Sequence, residues 1–369
     1  MNIEQVYSAA VIVTDLLNKQ KVIETLGEIV NSLRARVGDP GNASHQEQFS
    51  TAFDKLRKDA KKDYSEIIDP DTFNVLEELN VDGILPEKIF ESVKEELSEN
   101  QFTLDIALKN IESLYAEINN DIEHLNHIIA STQWFNLERE DLPNNTASLT
   151  FIVPRDEIES RIDLFQEEVK HLNRLSGVFS EISYGHRVHA QIRSISSSDL
   201  VITIVLGALA AKYLSEAVKN FVDSYKTVYQ LQGNVDALTT TLPENLVEQM
   251  KEYIDGKIDS VIEDYVENRL NEVIDKKLDK GRKAEVKSEA KHLLKQVARR
   301  IDRGFRYIIS LGKKSEEDKE NPDDILEDTD RKEVVANAKF ISMFKKIGAP
   351  LLSLEDSSDP TESSEDTTK

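Results

Sequence analysis

Leu200-Val201-Ile202-Thr203-Ile204-Val205-Leu206 decides the fold of this chain. The run is apolar on both faces and rich in β-branched residues, which predicts a strand covered on both sides. Gly207 closes it, and Ser196-Ser197-Ser198-Asp199 precedes it with short side chains that bond their own backbone in turns. A membrane span needs about 20 apolar residues. Asp199 and Lys212 bracket too short a run here, so the stretch is not read as transmembrane.

Working outward, Val188-His189-Ala190-Gln191-Ile192-Arg193-Ser194-Ile195 alternates apolar and polar residues. That predicts a half-buried strand with Val188, Ala190 and Ile192 inward, paired with the first as a hairpin. Upstream, Ser148-Leu149-Thr150-Phe151-Ile152-Val153 reads as another strand, stopped by Pro154. A helix from Arg155 to about Ile182 follows, with Ile158, Ile162, Phe165, Val169, Leu172, Leu175 and Phe179 on one face. After Gly207 a long helix carries Leu214, Val218, Phe221, Tyr225 and Val228 as a stripe. Residues 147–232 are therefore expected to form a central βαββα block.

The flanks read as helix. Residues 3–36 predict one helix, ended by Gly38-Asp39-Pro40-Gly41-Asn42. Others follow at about Ser44–Ile68, Thr72–Leu79 and Pro86–Leu97. Leu104, Leu108, Ile111, Tyr115, Ile118, Ile122, Leu125 and Ile129 then step by four and three without a miss. Such an a/d seam fits either a coiled coil joining chains or a helix packed in its own bundle. Beyond Pro243 a helix carries Val247, Met250, Ile254, Ile258, Val261 and Tyr265. A basic helix is expected next, with Leu293, Leu294, Val297, Ile301, Phe305 and Ile308 as its stripe.

The fold class expected is predominantly helical α+β. It comprises a helical region 1–142, the α+β domain 147–232, a helical region 243–312 with the basic segment, and an acidic tail 313–369. The tail's composition cannot offset the cost of ordering, so it is read as mostly disordered, with a short amphipathic segment at 332–348.

Several pieces of the chain resemble a family of uncharacterised bacterial proteins. They are Ile152-Val153-Pro154-Arg155, Leu172-Asn173-Arg174 with Phe179-Ser180-Glu181, Ile192 through Asp199, and Ala298-Arg299-Arg300-Ile301-Asp302-Arg303-Gly304. The resemblance implies the same order of helical N-terminal half, central block and basic helix, and a bacterial origin. It implies no activity.

The formal net charge of −23 argues against bulk nucleic-acid binding. The charge is unevenly spread: residues 276–314 hold 14 Lys/Arg against 4 Asp/Glu, and residues 315–369 hold 7 against 16. With no cysteine in 369 residues there is neither a disulfide framework nor a thiolate metal site, which fits a reducing cytoplasm. The N-terminus has no basic run before an apolar core, so no signal peptide is expected.

No motif carries recognisable chemistry. His124 and His127 share a helical face without a matching partner motif, which reads as a solvated face. His186 and His189 would point apart on an extended segment. Ser196–Ser198 lack a nucleophile elbow, and no phosphate-binding glycine loop is present. No catalytic, cofactor-binding or metal-binding residue is assigned, and no cofactor is expected. The one chemical asymmetry is the basic segment, where Arg299, Arg300, Arg303 and Arg306 are expected to line the outer face of a helix. Two readings of function result: a non-enzymatic scaffold or protein-interaction protein that self-associates, or a module that binds an anionic partner, nucleic acid or membrane surface, through residues 276–314. A basic run of this kind more often faces the chain's own acidic surface, and that reading is preferred for residues 276–314.

Overall fold

The structure is a computed structural model describing residues 3–65, 67–135, 142–158, 161–196, 200–236, 244–314 and 325–344. It is mostly helical with a four-stranded antiparallel sheet. The chain divides into two compact units interleaved in sequence. One takes in Met1–Ile162, Ala190–Ser215 and Tyr307–Met343; the other Asp163–His189, Glu216–Arg306 and Phe344–Lys369. Residues 147–232 thus contribute to both.

The first unit opens with α1 (Ile3–Gln20) and α2 (Val22–Gly38). The single helix expected over 3–36 is interrupted at Lys21, whose φ of 55° is left-handed. The apolar pattern is continuous across the break, but the polar run Asn18-Lys19-Gln20-Lys21 falls at its centre. A straight helix of that length would reach roughly 50 Å. Broken, it lets Val22, Leu26, Ile29 and Leu33 of α2 be fully buried.

Next come α3 (Ala43–Ala60), α4 (Pro70–Glu78), α5 (Pro86–Glu99) and α6 (Leu104–Thr132). Asn42 caps α3 by accepting from the Ser44 amide at 3.0 Å, and Asp69 caps α4 by accepting from the Thr72 amide at 2.7 Å. The seam of α6 is spent inside this bundle. Ile111, Ile118 and Leu125 are buried in the core with α1 and α2, and Leu104, Leu108, Tyr115, Ile122 and Ile129 pack against the same cluster. Arg34 of α2 forks onto Glu112 of α6 at 2.7 and 3.1 Å.

The sheet has β1 (Thr146–Val153), β2 (Gln191–Ser196), β3 (Leu200–Gly207) and β4 (Arg306–Leu311) in the order β2-β3-β1-β4. β1 and β3 are interior and pair antiparallel, Leu149 opposite Ile204 and Phe151 opposite Ile202. Side chains alternate across the pleat. Leu149, Phe151, Ile202 and Ile204 therefore share one face, and Ser148, Thr150 and Thr203 the other.

β4 corrects the sequence reading. Phe305 and Ile308 were expected on the basic helix, but α12 (Lys280–Asp302) stops before them. Gly304 turns the chain with a φ of 90°, which side-chain-bearing residues rarely adopt. Arg306-Tyr307-Ile308-Ile309-Ser310-Leu311 then runs as an edge strand, with Tyr307 packed on Phe151 at 4.9 Å between ring centroids. Where β4 ends, the Gly312 amide donates to the Thr146 carbonyl at 2.8 Å. A Cβ on Gly312 would lie 2.4 Å from the Pro143 carbonyl, so only glycine fits this approach.

Two further elements are shorter than their sequence patterns predict. The helix expected from Arg155 is divided into α7 (Arg155–Ile158) and α8 (Ile162–Tyr184). The strand expected from Val188 begins only at Gln191, and Val188, His186 and His189 are exposed. The amphipathic segment of the tail is α13 (Asp328–Ser342), with Val334, Ala338 and Ile341 buried in the first unit. Lys212, itself buried, holds Asp330 of α13 at 2.7 Å. The rest of the expected tail, 315–324 and 345–369, lies outside the described residues.

The second unit holds α8 after Ile162, α9 (Ala208–Asp236) after Ser215, α10 (Glu244–Asp264), a π-helical turn (Tyr265–Leu270), α11 (Asn271–Lys277) and α12. Ile258, Ile262, Val266, Leu270, Ile274, Val286, Leu293, Leu294 and Val297 are buried. Arg269 and Tyr265 of the π-helical turn both reach Glu216 of α9, Arg269 as a fork at 2.8 and 2.9 Å. Among the described residues no helix is long and apolar enough to cross a membrane.

Candidate functional site

The basic segment was the one asymmetry legible in the sequence, and its helix presents two charged faces. Lys283, Lys287, Lys291 and Lys295 recur every four residues, so they form one row along α12. Each lysine meets an acid of the preceding helices. Lys283 reaches Asp275 at 2.9 Å, Lys287 reaches Glu267 at 3.4 Å, and Lys295 reaches Asp259 at 2.8 Å. Lys291 bridges Glu263 and Glu267 at 2.6 and 2.9 Å. Asp259, Glu263 and Glu267 also step by four, so an acidic row and a basic row run in opposite directions. Hydrogen bonds from Lys291 chiefly hold the Glu267 carboxyl below its ordinary pKa, and Glu263 and Glu267 raise that of Lys291.

The other face meets α8. Arg282 forks onto the buried Glu181 at 2.6 and 3.0 Å, and Arg187 reaches the same carboxylate at 2.7 Å. Arg187 also contacts Glu289, which Arg174 approaches at 3.7 Å. The hydrogen bond from Arg282 is the main reason the Glu181 carboxyl stays below its usual range. Nearby, His171 Nδ1 lies 3.1 Å from Gln296 Oε1, whose amide nitrogen lies 3.0 Å from His292 Nε2. Burial, then the Arg300 charge, pushes the His171 pKa well below its ordinary value, so the ring is neutral.

The four arginines singled out from the sequence are not gathered on one helical face. Arg299 and Arg300 end α12, Arg303 lies in the turn after it, and Arg306 opens β4. All four are half-buried rather than outward-facing. Arg300 forks onto Glu168 of α8 at 2.7 and 3.2 Å, with the two side chains only 15% and 12% exposed. Arg303 lies over the Phe305 ring at 5.6 Å. The remaining candidates stay apart as well. His124 and His127 are exposed on α6, and Ser197 and Ser198 lie outside the described residues. Among the described residues no group of three or more metal-ligating side chains comes together.

A second polar cluster escaped the sequence reading. Asp71, in the first turn of α4, sits over the hydroxyl face of the sheet. Its carboxylate accepts from Ser148 Oγ at 2.9 Å and is also hydrogen-bonded by Thr150 and Ser310. Thr150 and Thr203 hydroxyls meet at 3.0 Å. Burial first, and the Asp69 charge second, push the Asp71 carboxyl up to about 6 against the pull of these hydroxyls. The cluster joins helix to sheet, with the Asp71 carboxylate as the acceptor of its hydroxyls.

The surface least expected from the sequence is the edge strand β2. Its pairing with β3 slips by one residue at Arg193: Ile192 stands opposite Ile204, but Ser194 opposite Thr203 and Ile195 opposite Ile202. A regular strand would send Ile192 and Ile195 to opposite faces. The extra residue of the bulge returns both to the face of Ile202 and Ile204. Ile202 and Ile204 are 2% and 4% exposed, whereas Ile192 and Ile195 are 59% and 49% exposed. The apolar face thus continues past its covered part to the edge of the sheet. The alternation in the sequence had predicted Ile192 inward.

No protein-family model, no curated protein and no solved structure matches the chain.

Proposed function

We propose that this chain is a non-enzymatic scaffold or protein-interaction protein that self-associates, working in the cytoplasm. The observation that carries the reading is the pair of exposed isoleucines on β2, which among the described residues has no strand of the sheet on its outer side. Unpaired strand edges with apolar side chains are templates for another chain. The absence of cysteine suits the reducing compartment.

The alternative is an anionic partner held by residues 276–314, and the positive charge of that segment favours it. It stands second because the lysine row of α12 and Arg300 already face carboxylates of this chain. Light scattering of the full chain over a range of micromolar concentrations, beside retention on heparin and duplex DNA, separates the two. The proposal expects a mass above that of the 41.9 kDa chain and no salt-dependent retention. A monomer that binds either polyanion at low salt reverses the order.

A further inference from the structure

We infer that the partner at β2 is the β2 strand of a second copy, paired antiparallel about a two-fold axis to give one continuous eight-stranded sheet. The inference rests on the self-association reading above and adds its place and register.

The argument is one of self-complementarity. A two-fold pairing that overlaps the whole of Gln191–Ser196 has one register, with Gln191 opposite the partner's Ser196. That register sets Ile192 opposite the partner's Ile195 and Arg193 opposite the partner's Ser194. The bulge puts Ile192 and Ile195 on one face, so the pairs match face to face. Four isoleucines then form a patch continuous with Ile202 and Ile204 of each copy. Slipping the register by one residue in one direction brings Arg193 against Arg193, with like charges opposed, and in either direction sets residues of opposite faces against each other. An isologous contact of this kind closes on itself and stops at a dimer. Six residues per strand make a small interface by the standards of stable complexes, so the dimer is expected to be concentration-dependent.

The chain has no cysteine, which makes the test clean. Two variants of the full chain, Ile192→Cys and Ile195→Cys, are oxidised or treated with a short bis-maleimide, separately and as an equal mixture. In the inferred register, residue 192 of one copy meets residue 195 of the other, while like positions lie three residues apart along the strands. Covalent dimer is therefore expected in the mixture and largely absent from each variant alone. Light scattering of the wild type should show a mass rising toward twice 41.9 kDa. Ile192→Asp with Ile195→Asp should hold it at one chain, with an unchanged circular dichroism spectrum. A wild-type dimer whose mixed cysteine variants fail to cross-link overturns the β2 register and leaves self-association standing. A monomer at every concentration overturns both. Equal cross-linking in the single variants and the mixture also overturns the register.

Discussion

Replacing Asp71 with Asn should make the protein more stable at pH 8 and leave it nearly unchanged at pH 4. The native carboxyl titrates at about 6 against an ordinary value of 3.8, because it is enclosed between α4 and the sheet and lies near Asp69. Each unit of pKa difference corresponds to about 1.4 kcal/mol. Holding this group ionised in the native state therefore costs on the order of 3 kcal/mol well above pH 6. The sign follows from proton counts. Between about pH 4 and 6 the native chain holds a proton that the unfolded chain has lost, so raising the pH draws the balance toward unfolding. The contribution is complete below the unfolded pKa and is lost as pH rises through the native one.

Asn is nearly isosteric with Asp and neutral at every pH, and the surrounding hydroxyls of Ser148, Thr150 and Ser310 can each donate or accept. The variant should gain about 1–3 kcal/mol over the wild type at pH 8, the lower end allowing for imperfect hydrogen bonds to the amide. Urea unfolding followed by circular dichroism at pH 4, 6 and 8 measures the difference. Because other titrating groups are common to both proteins, the gap between the two curves isolates Asp71. Parallel curves across that range would refute the reasoning, as would an Asn variant less stable than the wild type at pH 8.

Three other perturbations test the remaining structure. Ile204→Asp places a carboxylate on the buried face of β3 opposite Leu149, costs several kcal/mol, and should abolish the cooperative melt; a soluble variant with a wild-type melt argues against an interior β3. The buried, neutral His171 should resist protonation, so the second unit loses stability as pH falls below about 6.5, opposite in sign to Asp71; an NMR titration of the His171 ring with a midpoint at or above 6.5 contradicts this. Lys291→Gln removes ion pairs to Glu263 and Glu267 that solvent largely screens, and should cost under about 1 kcal/mol in urea melts; a loss of several would show that the rows of charge do more than pair at the surface.

What the sequence made legible follows the strength of its local signals. β3 was readable because seven residues, six of them apolar and five β-branched, lie between a turn and a glycine, and burial on both faces demands that composition. The seam of α6 was readable as a helix, but whether it joined chains or closed a bundle depended on α1 and α2, which no spacing within α6 encodes. The break at Lys21 had only the polar run Asn18-Lys19-Gln20-Lys21 to mark it, since lysine seldom adopts a left-handed φ and the apolar period runs through it. β4 was missed for the opposite reason. Val297, Ile301, Phe305 and Ile308 keep helical spacing by coincidence, and that period outweighed Gly304 and the β-rich Tyr307-Ile308-Ile309 that should have ended the helix.

The charged features show what position along a helix adds to net charge. A basic stretch counted by net charge invites an external anion, but counted by position it answers a row already present: Asp259, Glu263 and Glu267 on one side of a reversal, Lys287, Lys291 and Lys295 on the other, each with a period of four. Matched periods of opposite sign across a helical turnaround are an internal address, because two antiparallel helices bring such rows together pair by pair. The edge strand carries the reverse lesson. Its alternation predicted Ile192 inward, and a single bulged residue, which no pattern in β2 alone announces, puts Ile192 and Ile195 on one face at the edge of the sheet. The lysine row of α12 and Arg300 face carboxylates of this chain, and Ile192 and Ile195 of the strand that read as half-buried are exposed.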